Sequence, residues 1–109
     1  MTPDLERDLV AECQRIAAAM NAYVMVVGQR RAKGSGTTTG YPDMTLVCSG
    51  QVRLIELKRP KLGCLSLGQI AVIEKCAEQG VTVHVVDSAE DFIGIVNECR
   101  RAPTFRVRV

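Results

Sequence analysis

Apolar residues Leu5, Leu9, Cys13, Ile16 and Met20 recur at helical spacing. Thr2 precedes them as a hydroxyl cap and Pro3 as a favoured first helical residue, so residues 3 to 20 read as an amphipathic helix. Ala22 to Val27 is short, apolar and β-branched and stops at Gly28, the pattern of a strand. A polar, glycine-rich loop follows to Gly40. Met44 to Cys48 and Val52 to Lys58 are two further strand-like runs separated by Ser49-Gly50-Gln51, a tight-turn signal, and together they form a hairpin.

Pro60 closes that hairpin. Ser66 with Gln69 three positions on is a capping-box signature, which predicts a helix running to about Gln79 and stopped by Gly80. Val81 to Val86 is a β-branched strand. Ser88 with Asp91 opens a last helix whose end carries Arg100 and Arg101, favourable for its dipole. Thr104 to Val109 reads as a short edge strand. The order α-β-β-β-α-β-α, with the second helix as a right-handed crossover, predicts a mixed-sheet α/β sandwich.

The chain has 109 residues, the size of one domain, so residues 1–109 are expected to form a single unit. At 47% hydrophobic and 24% charged it has the composition of a chain that buries a core, and not of a disordered one. Aromatic residues are few, which leaves few rings for stacking bases. The acidic start, Met1 to Glu6, has no basic stretch followed by an apolar run, and no segment is long and apolar enough to span a bilayer. The expected location is therefore cytoplasmic, without a membrane partner. The five cysteines include no CxxC pair and accompany one His, so they are expected as small apolar side chains and not as disulfides or zinc ligands.

The net charge is only +2, but it is unevenly spread. Arg30, Arg31 and Lys33 lack a neighbouring acid, as do Arg100, Arg101, Arg106 and Arg108, and Lys58, Arg59 and Lys61 follow a single Glu56. Such surpluses suit a phosphate backbone, although solvated surface charge explains any one cluster as well. Gly34 to Gly40 lacks the Gly-Lys-Ser/Thr ending of a phosphate-binding P-loop. It reads better as a loop that meets a nucleic-acid backbone together with Arg30, Arg31 and Lys33.

Strand alternation sends Glu56 and Lys58 to one face and Ile55 and Leu57 to the other. The partner strand is preceded by Gly40-Tyr41-Pro42-Asp43, and a hairpin register brings Asp43 beside Glu56. Two adjacent carboxylates repel unless a cation lies between them, the role of a hard, oxygen-seeking ion such as Mg²⁺. A lysine two residues on can orient a metal-bound water and offset charge developing on phosphorus. Asp43, Glu56 and Lys58 are thus the candidate catalytic set. His84, mid-strand with no evident partner, reads as structural.

Pro42-Asp43 followed by Glu56-Leu57-Lys58 resembles the PD-(D/E)XK nuclease motif. The longer string Gly40-Tyr41-Pro42-Asp43, Ile55-Glu56-Leu57-Lys58-Arg59-Pro60 and Leu65-Ser66-Leu67-Gly68-Gln69 resembles the virus-type replication-repair nuclease (VRR-NUC) family. The resemblance implies a restriction-endonuclease-like core and a Mg²⁺-dependent endodeoxyribonuclease, with Mn²⁺ able to substitute. It implies metal ligands at Glu6, Asp43, Glu56 and the Leu57 carbonyl, with Glu12, Asp4 or Asp8 as substitutes for Glu6. It also implies a supporting role for Gln69 toward Lys58 or a phosphate, beside which a pure capping role stands equally. Arg30, Arg31, Lys33, Arg59 and Lys61 are the expected DNA contacts. Stand-alone members of the family act on branched DNA, so a homodimeric Holliday-junction resolvase of phage or bacterial origin, serving repair or recombination, is the specific expectation. The competing classes are a non-catalytic nucleic-acid-binding module that keeps the nuclease fold and a protein-binding α/β domain.

Overall fold

The computed structural model describes residues 6–26, 40–58 and 65–101. The elements are α1 (Glu6–Ala19), β1 (Tyr23–Val26), β2 (Met44–Cys48), β3 (Gln51–Leu57), α2 (Leu67–Glu78), β4 (Val83–Val86) and α3 (Ala89–Arg101). Their order is the expected one. The sheet has strand order β1-β2-β3-β4, antiparallel except for the parallel pair β3 and β4, which α2 connects. The predicted loop over 28–40, apart from Gly40, and the predicted edge strand over 104–109 lie outside the described residues. So do Thr2, Pro3 and Asp4.

Two strands begin later than the apolar pattern suggests, for one shared reason. The Val81 N–H bonds back to the Cys76 carbonyl (2.8 Å) and Gly80 to Ala77 (3.0 Å), with Gly80 at φ +81°. This closing motif uses a left-handed residue to satisfy the last carbonyls of a helix. The end of α1 repeats it: Ala22 bonds to Ala17 and Asn21 to Ala18, with Asn21 at φ 56°. Ala22 and Val81 are therefore committed to helix ends, and β1 and β4 start at Tyr23 and Val83. The hairpin turn is also shorter than predicted. Ser49 and Gly50 both take positive φ (53° and 76°), as a two-residue type I′ turn requires, and Gln51 already pairs with Cys48 in the ladder.

One face of the sheet carries the core. Met44, Leu46, Ile55 and Leu57 are fully buried there against Leu9 and Cys13 of α1 and Phe92 and Val96 of α3. Each such side chain contributes roughly 1.5–3 kcal/mol of burial. Cys13, Cys48 and Cys99 are buried free thiols that complete this packing and Cys76 is a half-buried one, whereas Cys64 lies outside the described residues. Burial, reinforced by Glu12, pushes the Cys13 thiol up to about 12, which leaves it inert as a nucleophile. The opposite face is more open, with Tyr23, Met25, Val52 and Val85 exposed. There α2 lies against β4 with none of its own residues fully buried. No described helix is long and apolar enough to cross a membrane.

His84 is not without a partner, contrary to the sequence reading. It shares the core-side face through its pairing with Ile55, and its Nε2 lies 3.3 Å from the Arg53 guanidinium, which also bonds Glu98 at 3.0 Å. Arg has only donors, so His84 Nε2 accepts and the ring carries its proton on Nδ1. Burial, with Arg53 adding to it and Glu98 opposing, holds the imidazole below its ordinary range.

Candidate active site

The hairpin sets the geometry. Met44 pairs with Ile55, and continuing that register one residue outward sets Asp43 opposite Glu56. Met44 and Ile55 point into the core, so alternation sends Asp43 and Glu56 to the α2 side of the sheet. Asp43 Oδ2 accepts the Leu57 N–H at 2.8 Å, a bond that anchors the carboxylate to the strand it faces. Pro42, just before it, is buried and fixes the approach of the chain.

Glu56 is only 2% exposed, the one buried charged residue among the described ones, so the otherwise open face of β3 is covered at this position. Such a carboxylate is costly unless hydrogen-bonded or paired. Gln69 supplies a donor, its Nε2 bonding Glu56 Oε1 in a short contact. The same side chain caps α2: Oε1 accepts the Ser66 N–H at 2.8 Å, and the Ser66 hydroxyl accepts the Gln69 N–H at 3.1 Å. Gln69 is therefore both cap and support. Its side-chain donor goes to Glu56, a partner that the expected roles toward Lys58 or a phosphate did not include.

Gly40 closes the arrangement from the other side. At φ +85° it lies so near the first turn of α2 that a Cβ there would stand 2.3 Å from the Gly68 carbonyl oxygen and 2.8 Å from the Gln69 nitrogen. Glycine alone suits both the conformation and the contact. Lys58 follows β3, half-buried, and its N–H bonds the Val86 carbonyl at 2.9 Å, which ties the end of β3 to β4.

The structure thus brings together Asp43, Glu56, the Leu57 backbone and Gln69, with Lys58 one alternation beyond Glu56. Glu6 opens α1 seven residues before buried Cys13, but its side chain lies outside the described residues. Arg30, Arg31, Lys33, Arg59 and Lys61 lie outside them entirely. Among the described residues no group of three or more His, Cys, Asp or Glu side chains converges. Two carboxylates on facing strands nonetheless fit a hard cation such as Mg²⁺, which commonly takes one or two carboxylates and keeps several waters. Sequence reasoning gave no role to Ser66 beyond its cap or to Gly40 beyond its place in a motif. The capping-box spacing and the glycine before Pro42-Asp43 were the available signals.

A mixed four-stranded sheet with flanking helices and an aspartate facing a buried Glu-x-Lys strand defines a PD-(D/E)XK-like α/β core. Residues 2–90 match the family model of the VRR-NUC domain, and the chain belongs to that family, whose members are nuclease domains. A solved structure of a VRR-NUC domain shares the fold with a TM-score of 0.64 at 19% identity, over 84% of this chain and 94% of that one. No curated protein matches the chain.

Proposed function

We propose that the protein is a metal-dependent endonuclease that hydrolyses phosphodiester bonds in DNA, with Asp43 and Glu56 as carboxylate ligands and Lys58 beside the attacking water. The observation that carries this reading is the burial of Glu56 directly across from Asp43, an arrangement of like charges that a divalent cation relieves. Mg²⁺, with Mn²⁺ as a substitute, supplies Lewis acidity toward the phosphoryl oxygen and a more acidic bound water. The Leu57 carbonyl and Glu6, at the start of α1, are the further ligands this reading assigns.

The rest is work for the chain's own groups. The Leu57 N–H holds Asp43 in place, Gln69 holds Glu56, and the Lys58 ammonium orients water and offsets the charge that develops on the phosphate. Arg30, Arg31, Lys33, Arg59 and Lys61 are assigned to phosphates of the DNA backbone. So small a domain has little room for base readout, which favours recognition of DNA shape, and branched DNA bound by a homodimer follows the family resemblance.

The test is cleavage of labelled four-way junction, flap, duplex and single-stranded DNA with Mg²⁺ or Mn²⁺. Wild type is expected to cut at least one of them, and Lys58→Ala and chelation to abolish the product. Paired symmetric nicks identify a dimeric resolvase. Salt-sensitive binding without product at any metal concentration establishes the non-catalytic module instead.

A further inference from the structure

The first turn of α2 touches both arms of the carboxylate pair. Its Gln69 amide bonds Glu56, and the backbone of Gly68 and Gln69 forms the surface on which Gly40 sits, three residues before Asp43. An amide can turn either way, and only one orientation offers a donor to Glu56. Here the choice is made by the cap: the Ser66 N–H takes up Gln69 Oε1, so the amide NH₂ must face the carboxylate. The Ser66 hydroxyl in turn pins the Gln69 backbone N–H. Both anchors of Gln69 therefore run through Ser66.

We propose that Ser66 is a positioning residue for the metal-binding carboxylate: through its capping box it fixes Gln69, and through Gln69 the rotamer of Glu56. This inference rests on the nuclease reading. A capping box ordinarily stabilises a helix and has no further effect. Here the residue at its third helical position also bonds a nearly fully buried carboxylate of another element, so the cap transmits its geometry to the site. Ser66 does not touch the metal or substrate in this scheme. Its effect is felt as preorganisation of a ligand.

The experiment compares wild type, Ser66→Ala and Ser66→Thr, each folded by circular dichroism. It reads the Gln69 side-chain amide resonances in metal-free protein and Mn²⁺ affinity by calorimetry. In wild type and Ser66→Thr, which keeps a capping hydroxyl, one Gln69 amide proton is expected downfield and slow to exchange. Ser66→Ala keeps the backbone N–H that faces Gln69 Oε1 but loses the hydroxyl that holds the Gln69 backbone in the capping geometry, so the N–H to Oε1 bond loosens with it, both amide protons move toward free-amide positions and Mn²⁺ binding weakens roughly 10-fold. A Ser66→Ala protein that loses stability yet binds Mn²⁺ as wild type does, with the Gln69 resonances unmoved, overturns the proposal and leaves the nuclease reading standing. Failure of wild type itself to bind Mn²⁺ overturns both.

Discussion

Glu56→Gln separates the cost of the site from its use. The substitution keeps the shape of the side chain, and its amide oxygen can accept the Gln69 Nε2–H that Glu56 Oε1 accepts now. What it removes is a charge that is 2% exposed and stands across the hairpin from Asp43. Directly opposed residues of an antiparallel pair have Cβ atoms roughly 5 Å apart, and two like charges at that spacing repel by about 3 kcal/mol at an effective dielectric of about 20. Asp43 is only half-buried, so solvent screens part of this, and we expect about 1–2 kcal/mol to be recovered in the metal-free variant. For a domain of this size that raises the melting temperature by roughly 5–10 °C. The assay is thermal unfolding with EDTA and again with saturating Mg²⁺. Wild type is expected to gain about 2.7 kcal/mol at a metal concentration near 100 times its Kd, whereas the variant gains much less, so the gap narrows or reverses. A Glu56→Gln protein that melts below wild type in EDTA would refute this reasoning, because the carboxylate would then be a structural group already satisfied by its protein donors.

Asp43→Asn keeps an oxygen acceptor for the Leu57 N–H and should fold with stability within about 1 kcal/mol of wild type while cleavage is lost; Asp43→Ala orphans that donor and should cost ~1–3 kcal/mol more, both read by urea denaturation and product formation. Gly40→Ala should destabilise by at least ~2 kcal/mol, since alanine resists the left-handed conformation and its Cβ meets the Gly68 carbonyl; an unchanged denaturation midpoint would show that the loop relaxes freely. His84 is neutral in the folded state to a lower pH than its ordinary value of 6.5, so below about 6.5 the unfolded chain takes up a proton that the native chain resists. Stability is therefore expected to fall as pH drops below that value and to level off once the lowered native value is passed, a decline that His84→Asn should lack in denaturation measured from pH 7.5 to 5.

Much of this fold follows from local signals that act within one element. The apolar stripe of α1, the capping box at Ser66 and the hydroxyl and acid at the start of α3 each specify an element without reference to the rest of the chain, and all three appear where their spacing puts them. The misjudged boundaries arise where an apolar residue serves a helix end and not the strand it resembles. Ala22 and Val81 look like strand residues because they are apolar, but their N–H groups are already used by the carbonyls of the preceding helix. Asn21 and Gly80, the residues able to take positive φ, were the signals that mark those ends.

At the site, hairpin register alone was enough to set Asp43 against Glu56, because strand alternation and a short turn leave little freedom. The bond from Gln69 to Glu56 was not readable in the same way, since it depends on how α2 packs back across the sheet. The burial of Glu56 was hidden for the same reason: a Glu-x-Lys strand reads as a wet face until a helix is laid over it. The bond between Arg53 and His84 likewise joins two strands whose parallel register is set only by the crossover.

The proposed function requires a cation held at Asp43 and Glu56. The most direct measurement titrates Mn²⁺ into wild type and Asp43→Asn, following bound metal by electron paramagnetic resonance and DNA cleavage in the same samples. Cleavage in wild type is expected to rise in step with bound metal, and folded Asp43→Asn is expected neither to bind at those concentrations nor to cut. Cleavage that is independent of occupancy, or that persists in the variant, would contradict the proposed function.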